Sequence, residues 1–132
     1  MYTVENPAGR LLTIRYKGAL TLEEGQHSIV EIRAQFARAS GKLILCGDIR
    51  EVGVLPQALA DRFVEMFRAD NPRLERNGML VSTAVLALQI ERMIREANNP
   101  ARKTFREAGD VQKFLELLLT PPEREGLVTF LR

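Results

Sequence analysis

The sequence predicts an α/β domain: a mostly parallel, mixed sheet flanked by helices, in the order ββαβαβαβα. Three observations carry this. An alternating stretch near the N-terminus reads as a hairpin, short apolar runs at Leu43–Cys46 and Met79–Val81 read as buried strands, and helical stripes of apolar residues separate and follow them. Strands that alternate with helices after an initial hairpin favour parallel pairing through right-handed crossovers.

In the hairpin, Leu12, Ile14 and Tyr16 alternate with Thr13, Arg15 and Lys17, the period of a half-buried strand. Asn6-Pro7-Ala8-Gly9 is the expected turn and Tyr2–Glu5 the first arm. Thr21 and Glu24 have the spacing of a capping box, and Ile29, Ile32 and Phe36 follow as one helical face. Gly41 is a plausible stop.

The stretch Lys42–Leu59, KLILCGDIREVGVLPQAL, is the centre of the chain. Its continuous apolar run suits a strand buried on both faces. Pro56 suits the first turn of the next helix, where its missing N–H has no partner to lose. Leu59, Phe63, Met66 and Phe67 then form a stripe that ends at Asp70-Asn71-Pro72. Gly78–Ser82 reads as the next strand, and Leu86, Ile90, Met93, Ile94 and Ala97 as the next helical face, ended by Asn98-Asn99-Pro100. Ala101–Phe105 is a weaker strand candidate. Asp110 can cap a helix bearing Val111, Phe114, Leu115 and Leu118, with Thr120-Pro121-Pro122 as its end. The segment Gly126–Leu131 is apolar and β-prone. It either packs on its own domain or pairs with a sheet edge of another subunit as a homodimer contact. The expected organisation is a domain over 1–120 and a C-terminal tail over 121–132.

The bulk properties set limits on function. With 132 residues, 45% apolar and 27% charged, the chain is one ordinary globular domain. A net charge of +2 gives no footprint for nucleic acid. No apolar run approaches the ~18 residues of a membrane span. The N-terminus has no charged leader followed by an apolar core, so the expectation is a cytoplasmic protein. One cysteine excludes an internal disulfide, and one cysteine with one histidine is a poor basis for a zinc site. No cofactor fingerprint is present, and no metal is expected.

The topology resembles the STAS domain, the fold of anti-sigma-factor antagonists, and more closely the bacterial STAS-like proteins grouped with lipid-binding Sec14-type domains. The residues that carry the resemblance are Leu43–Leu59 and the closing segment Asn99–Leu118, NPARKTFREAGDVQKFLELL. It covers about residues 2–119. The resemblance implies a habit of binding proteins or small ligands. STAS antagonists are switched by phosphorylation of a hydroxyl at the start of the helix after the central strand. Here that position falls at Gln57 or Ala58, so the usual phosphoswitch is not expected.

The candidate binding residues are Asp48, Arg50, Pro56, Gln57, Ser82 and Thr83, at the carboxyl ends of two strands and the helix starts that follow. Each has a plainer reading. Asp48 could contact a ligand or cap a turn. The helix start at Pro56 and Gln57 could attract an anion, yet every helix has such an end. Ser82 and Thr83 could bind a ligand or cap the helix. Cys46 reads as a small core residue, activated only if the fold brings His27 to it. The basic stretch over 91–107 interleaves with acids and reads as a solvated face. No paired acid–base set is visible, so a catalytic role is not expected. The expected function is a non-enzymatic interaction or regulatory module with a protein partner. The alternative is a carrier or sensor of a small apolar, lipid-like ligand, because Met and Phe stripes fill a core or line a cavity equally well.

Overall fold

A five-stranded mixed sheet forms the middle of the computed structural model, which describes residues 1–132. Strands β1 (Tyr2–Ala8) and β2 (Leu11–Tyr16) pair antiparallel. Strands β3 (Leu43–Asp48), β4 (Leu74–Leu80) and β5 (Arg102–Phe105) follow in parallel, in the spatial order β1-β2-β3-β4-β5. Five helices cover the sheet: α1 (Leu22–Arg38), α2 (Gln57–Asp70), α3 (Ala84–Ala97), α4 (Ala108–Glu116) and α5 (Pro121–Leu131).

The strand order dictates the layers. Successive right-handed crossovers that never reverse direction place their helices on one face. Accordingly α1, α2 and α3 share a core with Leu12, Ile14, Leu43 and Leu45. The alternate strand residues Leu11, Ile44, Cys46 and Leu80 point to the opposite face and pack against Val111 and Leu115 of α4 and Leu127 and Leu131 of α5. All six residues of β3 are buried, as its unbroken apolar run implies.

Local chemistry explains the helix ends. Thr21 accepts a hydrogen bond from Glu24 N, but the Glu24 carboxylate is turned to the N-terminal ammonium at 2.6 Å, so only half of the expected capping box forms. Pro56 is the N-cap of α2, one residue before the helix begins. Asp110 does not cap α4. The helix starts at Ala108 after Glu107, and Asp110 lies in its first turn, where a carboxylate still suits the helix dipole.

Two further sequence expectations are corrected. Strand β4 starts at Leu74, not Gly78. Its polar leading residues hide it from pattern reading, since buried Asn77 donates to Leu45 O and Gly78 O and accepts from Arg102 Nη1. The β-prone run Gly126–Leu131 is helical. Pro121-Pro122 opens α5 instead of only closing α4, because Thr120 and Glu123 form a complete capping box with proline in the first turn. The Glu123 carboxylate also accepts from Arg10 N at 2.6 Å, fastening α5 to the hairpin. Leu127 and Leu131, four residues apart, are consumed by the chain's own core, and the tail offers no strand to a second copy.

Gly78 permits the second layer to close. A Cβ at this position would stand 2.5 Å from Val111 Cγ2, inside the buried face of α4. Gly78→Ala is therefore expected to destabilise the fold by about 1–3 kcal/mol through overpacking. Urea denaturation checks this: a lowered midpoint with an unchanged slope is expected, and an unchanged midpoint would show that α4 yields at no cost.

Candidate functional site

The parallel strands end together at one edge of the molecule, the place where open α/β sheets usually bind their ligands. There β3 leads into the loop 49–56 before α2, and β4 leads through Ser82 and Thr83 into α3. The alternation of β3 decides what faces this loop. Leu43 and Leu45 point towards α1–α3, so Gly47 falls on that face and Asp48 on the face of α4 and α5.

Asp48 is 5% exposed and enclosed by two guanidiniums. Arg15, its partner across β2, donates Nε to Oδ2 at 3.0 Å. Arg50 donates Nε to Oδ1 and Nη2 to Oδ2, both at 3.0 Å, and its backbone N–H reaches Oδ1 at 3.2 Å. Burial alone pushes this carboxyl up; the hydrogen bonds from Arg50 and Arg15 and the charge of Arg50 overcome that and hold its pKa below the ordinary value. Arg15 continues to α5, donating Nη2 to Phe130 O and lying over the Phe130 ring at 4.3 Å. Asp48 is thus the hub that joins β2, the loop and α5.

The loop is fastened at both ends. Near its start, Ser82 Oγ donates to Arg50 O at 2.6 Å, and Arg106 Nη2 donates to Ser82 O at 2.8 Å. Near its end, the Gln89 side chain of α3 accepts from Leu55 N at 2.8 Å and donates to Leu55 O at 2.9 Å, replacing the two bonds a neighbouring strand would supply. Gln89 and Arg15 escape sequence reasoning. Gln89 sits beside an apolar stripe with no local signal, and Arg15 lies on a strand face that looks solvent-facing until α5 covers it.

The predicted residues therefore separate. Asp48, Arg50 and Ser82 meet through Arg50. Pro56 and Gln57 lie at the far end of the loop, with Gln57 Nε2 donating to Asp61 Oδ1 at 2.8 Å. Thr83 caps α3 by accepting from Leu86 N at 3.2 Å. Cys46 and His27 are not brought together: Cys46 is buried towards α4 and α5, whereas His27 is exposed on α1 in the opposite layer. Desolvation, reinforced by the Asp48 charge, pushes the Cys46 thiol up to about 12, which removes its nucleophilic form at neutral pH.

The same edge exposes apolar surface. Val54 at the loop tip is 60% exposed, and Val85 and Leu88, one turn apart on α3, are 62% and 66% exposed. Val54 and Leu88 share a groove of about 260 Å³ between α2 and α3, floored by Ala60, Val64 and Met93 and rimmed by polar side chains such as Gln57 and Arg92.

Because the Asp48 pKa is depressed in the fold, its ion pairs contribute stability above the ordinary value of 3.8, and that contribution is lost as pH falls through the lower folded value. Asp48→Asn is expected to cost about 1–3 kcal/mol at neutral pH. Its deficit relative to the native chain should shrink as the solution is acidified below 3.8. Denaturant titrations of both proteins at neutral and acid pH measure this; a deficit that does not change with pH would assign the loss to packing instead.

No helix is long and apolar enough to cross a membrane. No protein-family model matches the sequence, and no curated protein matches it significantly. Among solved structures, the chain is similar to an uncharacterized protein of the DUF3478 family with a SpoIIAA-like fold from Shewanella loihica PV-4. The two share 14% sequence identity and a TM-score of 0.66, over 87% of this chain and 92% of that one. A likeness at that identity speaks for the fold: the chain has the SpoIIAA-like, STAS-type α/β fold that its sequence predicts.

Proposed function

We propose that the protein is a STAS-type interaction module that binds a protein partner through the loop 49–56 and the exposed start of α3. The observation that carries the reading is the set of three large aliphatic side chains, Val54, Val85 and Leu88, left exposed beside a loop held at both ends. A contiguous exposed apolar patch rimmed by polar residues marks an interaction site. Of the residues named from sequence, Pro56, Gln57 and the exposed cap Thr83 lie on this surface, and Asp48, Arg50 and Ser82 fasten the loop that carries it. The first turn of α2, Gln57-Ala58-Leu59, has no hydroxyl, so the module works without the phosphoswitch of STAS antagonists. A bacterial, cytoplasmic and regulatory setting belongs to the same proposal.

The interaction reading is preferred over that of a lipid carrier. A lipid-like ligand needs a site of roughly 300 Å³ or more, and the apolar cavity under the loop is about 60 Å³.

The test compares Val54→Asp and Leu88→Asp with Val30→Asp, a control at a 68% exposed position on α1. All three should keep the native melting temperature. A partner captured by the native chain should lose affinity about 30-fold in the two loop-side variants, the effect of a hot-spot residue, and keep it in Val30→Asp. A partner retained by both loop-side variants, or lost equally by the control, would rule out this surface.

A further inference from the structure

The inner side of the same loop faces an apolar cavity of about 60 Å³ between the sheet and the three-helix layer. Leu45, Gly47 and Met79 contribute from the strands, Phe63, Met66 and Met93 from the helices. Ile49, Val52 and Leu55 come from the loop itself. The loop thus turns Val52 and Leu55 inward and Val54 outward.

Two features distinguish this space from a packing defect. First, Gly47 creates it without another reason to be glycine. Its φ is not positive, and a Cβ there would meet only Met79 Cγ, at an ordinary 3.5 Å. At Gly78, by contrast, a Cβ would be blocked at 2.5 Å. A glycine inside a strand forgoes packing and often marks the close approach of a ligand. Second, the polar groups on the wall are already engaged. Ser82 and Asp48 lie outside the cavity, leaving Tyr16 and Asn77. Ser28 donates to Gly25 O, so the Tyr16 hydroxyl, 2.7 Å from Ser28 Oγ, is the donor of that pair. Asn77 gives its amide protons to Leu45 O and Gly78 O and accepts from Arg102 Nη1. A water needs two to four polar partners, and this wall offers no free donor, only the spare lone pairs of the Tyr16 hydroxyl and Asn77 Oδ1.

The geometry points to a binding site for a compact apolar molecule without hydrogen-bonding groups, whose occupancy sets the position of the loop. Apolar cavities of roughly 150 Å³ stay dry and take up benzene or xenon. Here the smaller volume favours the more compact occupant, and three methionines, adaptable in shape, allow expansion. An occupant in contact with Val52 and Leu55 presses on the segment that carries Val54. The regulatory half of this inference rests on the loop being the partner surface proposed above.

Xenon is the probe. Met-methyl and amide NMR of the full chain under xenon pressure should show saturable shifts at Met66, Met79 and Met93 and at the loop amides from Glu51 to Leu55. Gly47→Ala, which fits the space, should weaken xenon binding several-fold, and Met79→Ala, which enlarges it, should tighten binding. The second variant keeps the test decisive if the first folds poorly. No saturable shift in the native chain, or equal affinity in all three proteins, overturns the site. Methyl shifts without loop shifts overturn the coupling. The measurement uses no partner, so its failure leaves the Val54 and Leu88 surface standing, and failure of that surface leaves the cavity result intact.

Discussion

A strand whose six residues are all buried must be covered on both sides, and β3 is such a strand. Three crossover helices can cover only one of its faces, because the uninterrupted strand order keeps them together. The chain therefore continues past the edge strand β5 and returns as α4 and α5 beneath the sheet. The capping box at Thr120, the bond from Arg10 N to Glu123 and the burial of Leu127 and Leu131 all serve that return. Each aliphatic side chain so buried contributes about 1.5–3 kcal/mol, so α5 belongs to the core despite its place at the end of the chain.

The same constraint produces the charge cluster. Asp48 ends β3 on its lower face and is carried into the interior with the strand. A buried carboxylate without partners would be strongly destabilising. Arg15 and Arg50 supply them, and in doing so they tie the loop to β2 and α5. Fixing one end of the loop with charge and the other with Gln89 restrains it in advance, which would lower the entropy lost on docking of the partner proposed for it. The chemistry that makes Asp48 unavailable to a ligand also holds the start of the neighbouring loop in place.

Legibility in the sequence followed locality. The buried strand β3, the cap at Thr21, the cap at Thr83 and the stripes of α2 and α3 depend on neighbours a few residues away, and all were readable. The start of β4 was not, because Asn77 is buried through Arg102, twenty-five residues downstream. The helical tail departs from its β-prone pattern because a short apolar run suits strand and helix alike, and the deciding signal, a proline-led capping box, lies just before it. The carboxyl edge of the sheet is legible in the sequence as one region, because it follows from the order of strands and helices alone. The partners of its residues are not legible there: Asp48 and Arg50 satisfy each other, and the exposed Val54, Val85 and Leu88 look like core residues in any pattern count.

The two ends of the sheet are built differently. At the amino ends of β4 and β5, Arg102 is buried, stacked 4.1 Å from the Phe67 ring and bonded to Asn71 and Asn77, while Asn99 joins Asn71. Desolvation, only partly offset by Asp70, lowers the Arg102 pKa to about 10, a sign of how completely this end is closed to water. That network fixes a four-residue edge strand, which pairs on one side only, against the end of α2. At the carboxyl ends the fastening is confined to the two termini of a loop, and the span between them rests on methionines and a glycine. Cores yield where side chains are adaptable and polar networks are absent. The loop that carries Val54 thus rests on adaptable side chains between two fastened ends, while the polar network at the amino ends holds the opposite edge of the sheet.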